Sequence, residues 1–318
     1  IAEELQAAGL RPVDLVIGAW VVPTLVAHGT DGQRDRFLPP TLRGEVTWCQ
    51  LFSEPDAGSD LASLTTKAER VPGGWRLTGQ KVWTSMAREA DWGICLARTE
   101  PEAPKHSGIS YFLLDMASPG LDVRPLREIT GDSLFNEVFL DGVFVPDDCL
   151  VGKAGDGWRL ARTTLANERV SLSSGSSLGA AEETLLRLAR DERDSDPSRT
   201  ETLGRLLAAA HSCALLRLRS TLRSLAGEQP GAESSIAKLI GVEHLQEAWE
   251  TAVEWRGADA LCGARQPRDA TWWFLNSRCM SIAGGTTDVQ LNIVGERLLG
   301  LPRDPEPAAP IRSRPDAG

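Results

Sequence analysis

The 318-residue sequence lacks several features that would each indicate a distinct class of protein. It contains no run of 18 apolar residues, so no membrane span is predicted. Its 34 Lys and Arg residues are outnumbered by 44 Asp and Glu residues, which gives a net charge of −10. A general nucleic-acid-binding protein needs a basic face for the phosphates, so that function is disfavoured. A small anionic ligand remains compatible with this charge, because a local basic pocket can exist on an acidic protein.

Cysteine and histidine patterns typical of metal or redox sites are also missing. The six Cys residues are scattered without a C-x-x-C pair, which predicts reduced thiols, a cytoplasmic location and no zinc site. The four His residues are too isolated to suggest a ligand set, so no metal is predicted. The sequence has no phosphate-loop signature, no H-E-x-x-H motif and no convincing Ser/His/Asp arrangement.

The sequence does have the composition of a globular protein, with 42% hydrophobic and 25% charged residues. It divides into three regions that differ in the spacing of their apolar residues. Residues 1–46 have helical spacing, residues 47–147 have short strand-like runs, and residues 148–303 are long, periodic and rich in Ala, Leu and Arg. We therefore predict an α+β fold. It has a partial N-terminal helical domain, a middle antiparallel β-barrel domain and a C-terminal four-helix-bundle domain, with a disordered tail at 304–318.

Within these regions, apolar spacing predicts the individual elements. Asp141-Gly142 between two apolar runs is a strong signal for a hairpin turn. Strands are predicted at 74–78, 92–97 and 109–114, and helices at 160–172, 178–190, 203–225, 235–255 and 269–283.

Two segments of the strand-rich region carry residues suited to ligand binding. In the segment from Phe52 to Asp60, small residues and hydroxyls surround Gly58, so backbone N–H groups can approach an anion as in a nest. An ordinary surface turn has the same composition. The second segment places Trp83 beside the hydroxyls of Thr84 and Ser85. An indole can stack on a flat ring, although any one Trp is more often a core residue.

Two further segments lie in the helical region. Glu168 precedes Arg169 on a mostly apolar helix, where a half-buried carboxylate can act as a base, although an exposed ion pair fits the same pattern. Gly284-Gly285 precedes a predicted helix with Asp288 in its first turn. Free N–H groups there can bind an oxyanion or a carbonyl, and a plain turn between helices would look the same.

Together and in this order, these segments resemble the acyl-CoA dehydrogenase family. The resemblance runs from about residue 3 to residue 303 and is closest to the actinobacterial-type members. Because the family begins with a longer helical domain than residues 1–46 provide, we expect the first part of that domain to be missing. The matching residues are WCQLFSEPDAGSD at 48–60, GQKVWTS at 79–85, FNEVFLD at 135–141, VP at 145–146, GDGW at 155–158, NER at 167–169, GGT at 284–286 and ERLLGLPR at 296–303.

The resemblance implies oxidation of an acyl-CoA to its trans-2-enoyl-CoA by FAD, with the electrons passed to an electron-transfer flavoprotein. Trp83 is expected to pack on the isoalloxazine, and Ser85 to hydrogen-bond near N5. Arg169 is expected to meet the adenine end of CoA, where a guanidinium can stack and bond. The cofactor-binding residues that the resemblance implies are Phe52, Ser53, Gly58, Ser59, Trp83, Thr84, Ser85 and Thr286.

The catalytic base is the first departure from the family pattern. Many members carry a Glu immediately before the Gly-Thr pair, and Gly284 occupies that position here. Another branch, which includes isovaleryl-type enzymes, places the base on a bundle helix directly before an Arg, and Glu168 fills that position. The resemblance therefore implies Glu168 as the base. It also implies that the Gly284 N–H, with a ribityl hydroxyl of FAD, bonds the thioester carbonyl as oxyanion-type stabilisation.

A second departure concerns the adenine half of FAD. The usual R-x-x-F-G motif is absent between Leu178 and Leu207, and Q-x-x-G-G-x-G is reduced to the stretch 254–260. There Glu254 would bring a negative charge near a diphosphate unless Arg256 offsets it. Some relatives form heteromers in which one subunit has lost half of its flavin site. We therefore expect a homo- or hetero-tetramer. The predicted function is that of an acyl-CoA dehydrogenase, and the alternatives are an acyl-CoA oxidase and a non-catalytic or half-site subunit.

Overall fold

The computed structural model describes residues 4, 8–9, 15–172, 180–191, 196–228, 231–262 and 268–303, without the side chains of 169–172, 191 and 224. The disordered tail predicted at 304–318 lies outside the described residues. The boundaries of the three predicted domains remain a prediction.

Among the described residues, two helices precede the sheet, α1 (Gly18–His28) and α2 (Asp31–Leu42). α1 buries Trp20, Val21 and Leu25, so its apolar stripe faces the core, as its spacing predicts. α2 begins with a capping box, in which the Thr30 side chain accepts from the Gln33 N–H and the Gln33 side chain accepts from the Thr30 N–H. The Gln33 amide also donates to the carbonyls of residues 148 and 150, which attaches α2 to the end of the sheet.

Eight strands form one sheet, in the order β6-β7-β3-β2-β4-β5-β8, with β1 paired to β4. The strands are β1 (Trp48–Leu51), β2 (Lys67–Val71), β3 (Gly74–Ser85), β4 (Trp92–Arg98), β5 (Ile109–Asp115), β6 (Leu121–Leu126), β7 (Phe135–Pro146) and β8 (Leu150–Val151). Most pairs are antiparallel, as predicted, but β4 pairs in parallel with both β1 and β2. Because β2, β3 and β4 alternate in direction, β2 and β4 must run parallel once they become neighbours. The sheet also ends at β6 and β8 without closing. The predicted combination of helices with a β-sheet is therefore found, but the middle antiparallel β-barrel is replaced by an open, mixed sheet.

The hairpin predicted at Asp141-Gly142 is also wrong, because β7 runs straight through these residues. The pairing of β3 with β7 shifts register here, between Leu77 opposite Val143 and the next pair. Gly142 has a φ of +64°, the left-handed conformation that a β-bulge can require as well as a hairpin turn. The Asp-Gly signal therefore marks a bulge that bends one long strand.

Seven helices follow the sheet in the described residues, and α6 packs against α3, α4, α5, α8 and α9. The helix predicted at 269–283 ends at Ser277 and continues as a 3₁₀ turn, Arg278–Ser281. No helix in the described ranges has the length and apolarity needed to cross a membrane. The helices are α3 (Gly157–Leu172), α4 (Ala180–Asp191), α5 (Pro197–Leu225), α6 (Glu233–Arg256), α7 (Ala258–Cys262), α8 (Ala270–Ser277) and α9 (Thr287–Arg297).

The buried residues form two hydrophobic clusters. The larger cluster joins α1, α2, the sheet and α3, which contributes Leu160 and Ala161. The smaller cluster lies among α4, α5, α6 and α8, with Trp249 and Trp255 of α6 inside it. α3 therefore packs in the core of the sheet and also contacts α6 of the bundle. This position places Glu168 at the junction of the two parts.

Candidate active site

A buried ion pair joins the loop that follows β1 to strand β3. The Lys81 Nζ donates to Glu54 Oε1 at 2.8 Å and to the Phe52 carbonyl at 3.1 Å. The next residue, Val82, donates its N–H to the Ser53 carbonyl at 3.0 Å. The two segments that carry the resemblance to a flavin site are therefore held side by side.

Glu54 is charged in this buried position because several donors surround its carboxylate. The N–H groups of Thr65 and Thr66 donate to it at 2.7 and 2.9 Å. Burial acts to raise the pKa of Glu54, but the charge of Lys81 and hydrogen bonds from Lys81, Thr66 and Thr65 outweigh burial and lower the pKa to about 2. Sequence reasoning assigned no role to Glu54 or Lys81. The sequence feature that could have indicated the pair is Lys81, a charged residue on the otherwise apolar face of a strand.

The outer part of this loop is exposed and narrow. The backbones of Glu54 and Ala57 exchange two hydrogen bonds of 3.1 Å, which close a tight turn. Gly58 and Ser59 follow on the surface, and a Cβ added at Gly58 would meet no atom within 4 Å. The loop is thus a surface turn, and it also leaves open space beside the backbone where an anion could approach.

Trp83 is not a core residue, although a single Trp taken from a sequence more often is one. Its side chain is 61% exposed, and its φ of +60° follows a register shift in the pairing of β3 with β7. Its ring centroid lies 6.1 Å from that of Phe135, edge to face. Thr84 is completely buried instead, and its Oγ1 has no hydrogen-bond partner among the described residues. Trp83 therefore offers an aromatic face to a ligand, while Thr84 faces the protein interior.

Glu168 is a buried residue of α3, with 8% of its surface exposed, and so it is not one half of an exposed ion pair. The Gln50 Nε2 of β1 donates to Glu168 Oε2 at 3.1 Å. Gln50 stands two residues before Phe52, so the carboxylate lies beside the start of the first segment predicted to bind a ligand. Sequence reasoning did not single out Gln50. The predicted role of Arg169 concerns a side chain outside the described part of the structure.

The turn at Gly284 and Gly285 is held by polar side chains from two helices. The Lys238 Nζ of α6 donates to the carbonyls of Ala283 and Gly285. The Gln290 Nε2 of α9 donates to the Gly284 carbonyl at 2.9 Å. Both glycines have left-handed backbones, with φ values of +64° and +95°. The carbonyls of the turn are therefore engaged.

Thr286 begins α9 as its N-cap, and its Oγ1 accepts from the Val289 N–H at 3.2 Å. The hydroxyl keeps its own hydrogen for a ligand. The hydrogen bonds of this region tie Gly284 and Thr286 to α9 and their neighbours Ala283 and Gly285 to α6. The Glu168 carboxylate is instead bonded to β1. The predicted site residues therefore form one group on the sheet and α3 and a second group at the start of α9.

The segment expected to meet the adenine half of a cofactor lies at the end of α6. Glu254 is exposed there and Arg256 is half-buried, and the helix ends at Gly257 with a φ of +52°. Because Glu254 is in solvent, its charge carries little desolvation penalty, but that charge would repel a diphosphate brought to this surface.

Two sequence profiles, for two domains of one family, match this chain. The profile for the acyl-CoA dehydrogenase middle domain covers residues 49–143, and the profile for the acyl-CoA dehydrogenase C-terminal domain covers residues 155–299. Acyl-CoA dehydrogenase FadE34 of Mycobacterium tuberculosis is 57% identical over 303 residues, which are 95% of this chain and 42% of that relative. Acyl-CoA dehydrogenase IpdE1 of the same organism is 41% identical over 290 residues, which are 89% of this chain and 74% of that relative.

Solved structures similar in sequence to this chain also share its fold. The protein titled Tcur3481-Tcur3483 steroid ACAD is 30% identical with a TM-score of 0.85, covering 95% of this chain and 80% of that chain. The ChsE4-ChsE5 complex from Mycobacterium tuberculosis is 31% identical with a TM-score of 0.81, covering 95% of this chain and 81% of that chain.

Proposed function

Because this chain belongs to the acyl-CoA dehydrogenase family of oxidoreductases, whose members are FAD flavoproteins, we propose that it dehydrogenates an acyl-CoA thioester to the trans-2-enoyl-CoA. One observation carries the proposal. The Glu168 carboxylate is buried beside the end of β1, where the loop from Phe52 and the strand bearing Trp83 are bound together.

The residues on the sheet fit the chemistry of FAD. Trp83 presents an exposed aromatic face suited to a flat ring, and the half-buried Ser85 supplies a hydroxyl two residues later. Gly58 and Ser59 leave open space next to the backbone, as an anionic group requires. Bound FAD would accept a hydride from the β-carbon of the substrate. The residues proposed to hold it are Phe52, Ser53, Gly58, Ser59, Trp83, Ser85 and Thr286, while the buried side chain of Thr84 faces away from this surface.

In this proposal Glu168 removes the α-proton of the thioester. The Gln50 amide donates to the carboxylate, which favours the charged form that can accept a proton. The Gly284 N–H donates to the thioester carbonyl and so stabilises the negative charge that develops there. Arg169 binds the adenine end of CoA. The α-proton thus goes to Glu168, and the hydride leaves the β-carbon with its electron pair. FAD, when bound, would accept that hydride, and the electrons would then pass to an electron-transfer flavoprotein.

The proposed substrate is a ring-bearing acyl-CoA, and the proposed assembly is a heteromer. Support for the first comes from the neighbour whose title calls it a steroid ACAD. Support for the second comes from the complex of two different chains, ChsE4 and ChsE5, which has the same fold at 31% identity. The exposed Glu254 is compatible with a partner subunit that completes the adenine side of the site.

One alternative deserves comparison, a half-site subunit that serves a partner without catalysis. Glu254 at the expected adenine surface favours it. The buried Glu168 with its own hydrogen-bond donor favours catalysis, because a purely structural subunit needs no such carboxylate. The visible spectrum separates the two, since a yellow protein that bleaches with acyl-CoA is catalytic and a colourless one supports the half-site role.

The test of the proposed base is Glu168→Gln, which keeps the shape and removes the proton acceptor. We expect flavin reduction by acyl-CoA in a single turnover to slow about 10²- to 10⁴-fold, with FAD content unchanged. The matched control is Glu183→Gln, the same change at an exposed position of α4, which should leave the rate unaltered. Equal rates for the parent and Glu168→Gln would show that the base lies elsewhere.

A further inference from the structure

We infer that Gln50, oriented by Trp20, is a positioning residue for the Glu168 carboxylate. The inference rests on the proposed function, in which Glu168 is the base. It adds a residue of α1 and a residue of β1 to the machinery that places that base.

The orientation of the Gln50 amide follows from its two hydrogen bonds. The Trp20 Nε1 donates to Gln50 Oε1 at 2.7 Å, and the Gln50 Nε2 donates to Glu168 Oε2 at 3.1 Å. An indole N–H can only donate, so the amide atom facing it must be the oxygen. The amide nitrogen must then face Glu168. Trp20 thereby resolves the usual ambiguity between the two ends of a Gln side chain.

A second set of hydrogen bonds fixes the distance between α1 and α3. One turn before Glu168, the Thr164 hydroxyl lies 2.9 Å from that of Thr24 on α1 and 3.1 Å from that of Tyr111 on β5. Thr24 also donates to the Trp20 carbonyl at 2.8 Å. All of these groups are buried, so the bonds between them are difficult to break without leaving unpaired polar atoms.

This arrangement restrains the carboxylate in a way that matters for proton transfer. A general base must lie within hydrogen-bond reach of its proton in a defined orientation. The amide of Gln50 is neutral and takes no proton itself, so it acts through Glu168. Since a donor to the charged carboxylate stabilises it over the acid, the bond from Gln50 also favours the proton-accepting form.

A double-mutant cycle tests the inference. The variants are Gln50→Met, which keeps the length and removes the donor, Glu168→Gln, and both together, each loaded with FAD and assembled with any partner. The substrate is the acyl-CoA that reduces the parent fastest in a panel of straight-chain and ring-bearing thioesters. With it we would measure the rate constant of flavin reduction in a single turnover and the Kd. Exchange of the substrate α-hydrogen with D₂O, followed by mass spectrometry, reports proton removal separately.

We expect Gln50→Met to slow reduction and exchange about 10- to 100-fold, as for loss of a hydrogen bond to a charged group. The Kd should stay within about twofold, because Gln50 acts on the base. In the Glu168→Gln background, Gln50→Met should slow reduction and exchange no further. Trp20→Phe, which removes the indole donor and keeps a smaller aromatic ring, should show a smaller slowing and carries the test if Gln50→Met folds poorly.

The outcomes separate this inference from the proposed function. A parent-like rate for Gln50→Met, beside a slow Glu168→Gln, overturns the role of Gln50 alone. Equal slowing by Gln50→Met in both backgrounds also overturns it, since Gln50 would then act independently of Glu168. A parent-like Glu168→Gln, or a parent that no thioester of the panel reduces, overturns the proposed function and this inference with it.

Discussion

Lys81 and Glu54 form an ion pair whose side chains are 0% and 5% exposed, with 2.8 Å between Nζ and Oε1. A buried ion pair adds little stability compared with a packed apolar pair, because removing both charges from water is costly. Removing only one partner leaves the other charge buried without compensation. The pair therefore fixes the position of the Phe52 carbonyl relative to β3, where the loop and strand of the proposed flavin site meet.

Lys81→Met should destabilise the protein strongly, by about 3–5 kcal/mol, because the Glu54 charge would remain in the interior. Urea unfolding followed by circular dichroism measures the change. The control is Lys105→Met, which removes an ion pair with Asp60 whose side chains are 45% and 59% exposed. That loss should cost about 0–1 kcal/mol. Similar losses for the two variants would contradict the structural account.

Acid should remove the contribution of Glu54 over a defined range of pH. Its pKa in the folded protein is about 2, below the ordinary value of 4.5. The stabilisation is therefore fully present above pH 4.5 and is lost as the pH falls towards 2. Over that interval the free energy of unfolding should fall by about 3 kcal/mol from this group. Unfolding of the parent and of Glu54→Gln across pH 5 to about 2 checks this, and parallel curves would argue against it.

Ser59→Glu should abolish retention of FAD, since it adds a negative charge to the exposed turn proposed to receive the diphosphate. Two unit charges about 4 Å apart near a protein surface repel by about 4 kcal/mol. The measurement is the ratio of flavin absorbance to protein absorbance after purification. Ser212→Glu adds the same charge at an exposed position of α5 and should retain FAD. Full occupancy in Ser59→Glu would remove the turn from the site.

Cys262 should be the first thiol to react with iodoacetamide at pH 8. It is exposed, whereas Cys49 and Cys95 are buried. Burial raises the pKa of Cys95 to about 11 and that of Cys49 further, so neither forms much thiolate. Cys279 is half-buried, and burial raises its pKa as well. Peptide mapping should find Cys262 modified in the fast phase, and a fast phase that persists in Cys262→Ser would contradict this.

Periodicity along the sequence predicted elements better than it predicted their pairing. The strand predicted at 92–97 lies within β4, and the helix predicted at 235–255 lies within α6, because repeats of two and 3.6 residues are local properties. The parallel pairing of β2 with β4 depends on where β3 returns the chain, which no local pattern records. At Asp141-Gly142 the local signal was genuine, but a bulge and a hairpin turn can use the same left-handed glycine.

The candidate site was predictable as a set of segments and not as a set of contacts. Trp83 and Glu168 stand out in the sequence, and the structure shows one exposed and the other buried. The partners that hold the site together were not predicted, because Gln50 and Glu168 are 118 residues apart and Lys81 and Glu54 are 27 residues apart. Such pairs form only when the fold brings distant segments together.

The backbone at Gly284 is poorly suited to a residue with a long side chain such as glutamate. Its φ of +64° favours glycine, and a residue with a Cβ would pay about 1–2 kcal/mol in the left-handed conformation. The turn has little freedom to relax, because Lys238 and Gln290 hold its carbonyls from both sides. Placing a glutamate at position 284 would therefore require compensating changes in α6 or α9. In the proposed function, the catalytic base therefore cannot move from Glu168 to position 284 by a single substitution without a loss of stability.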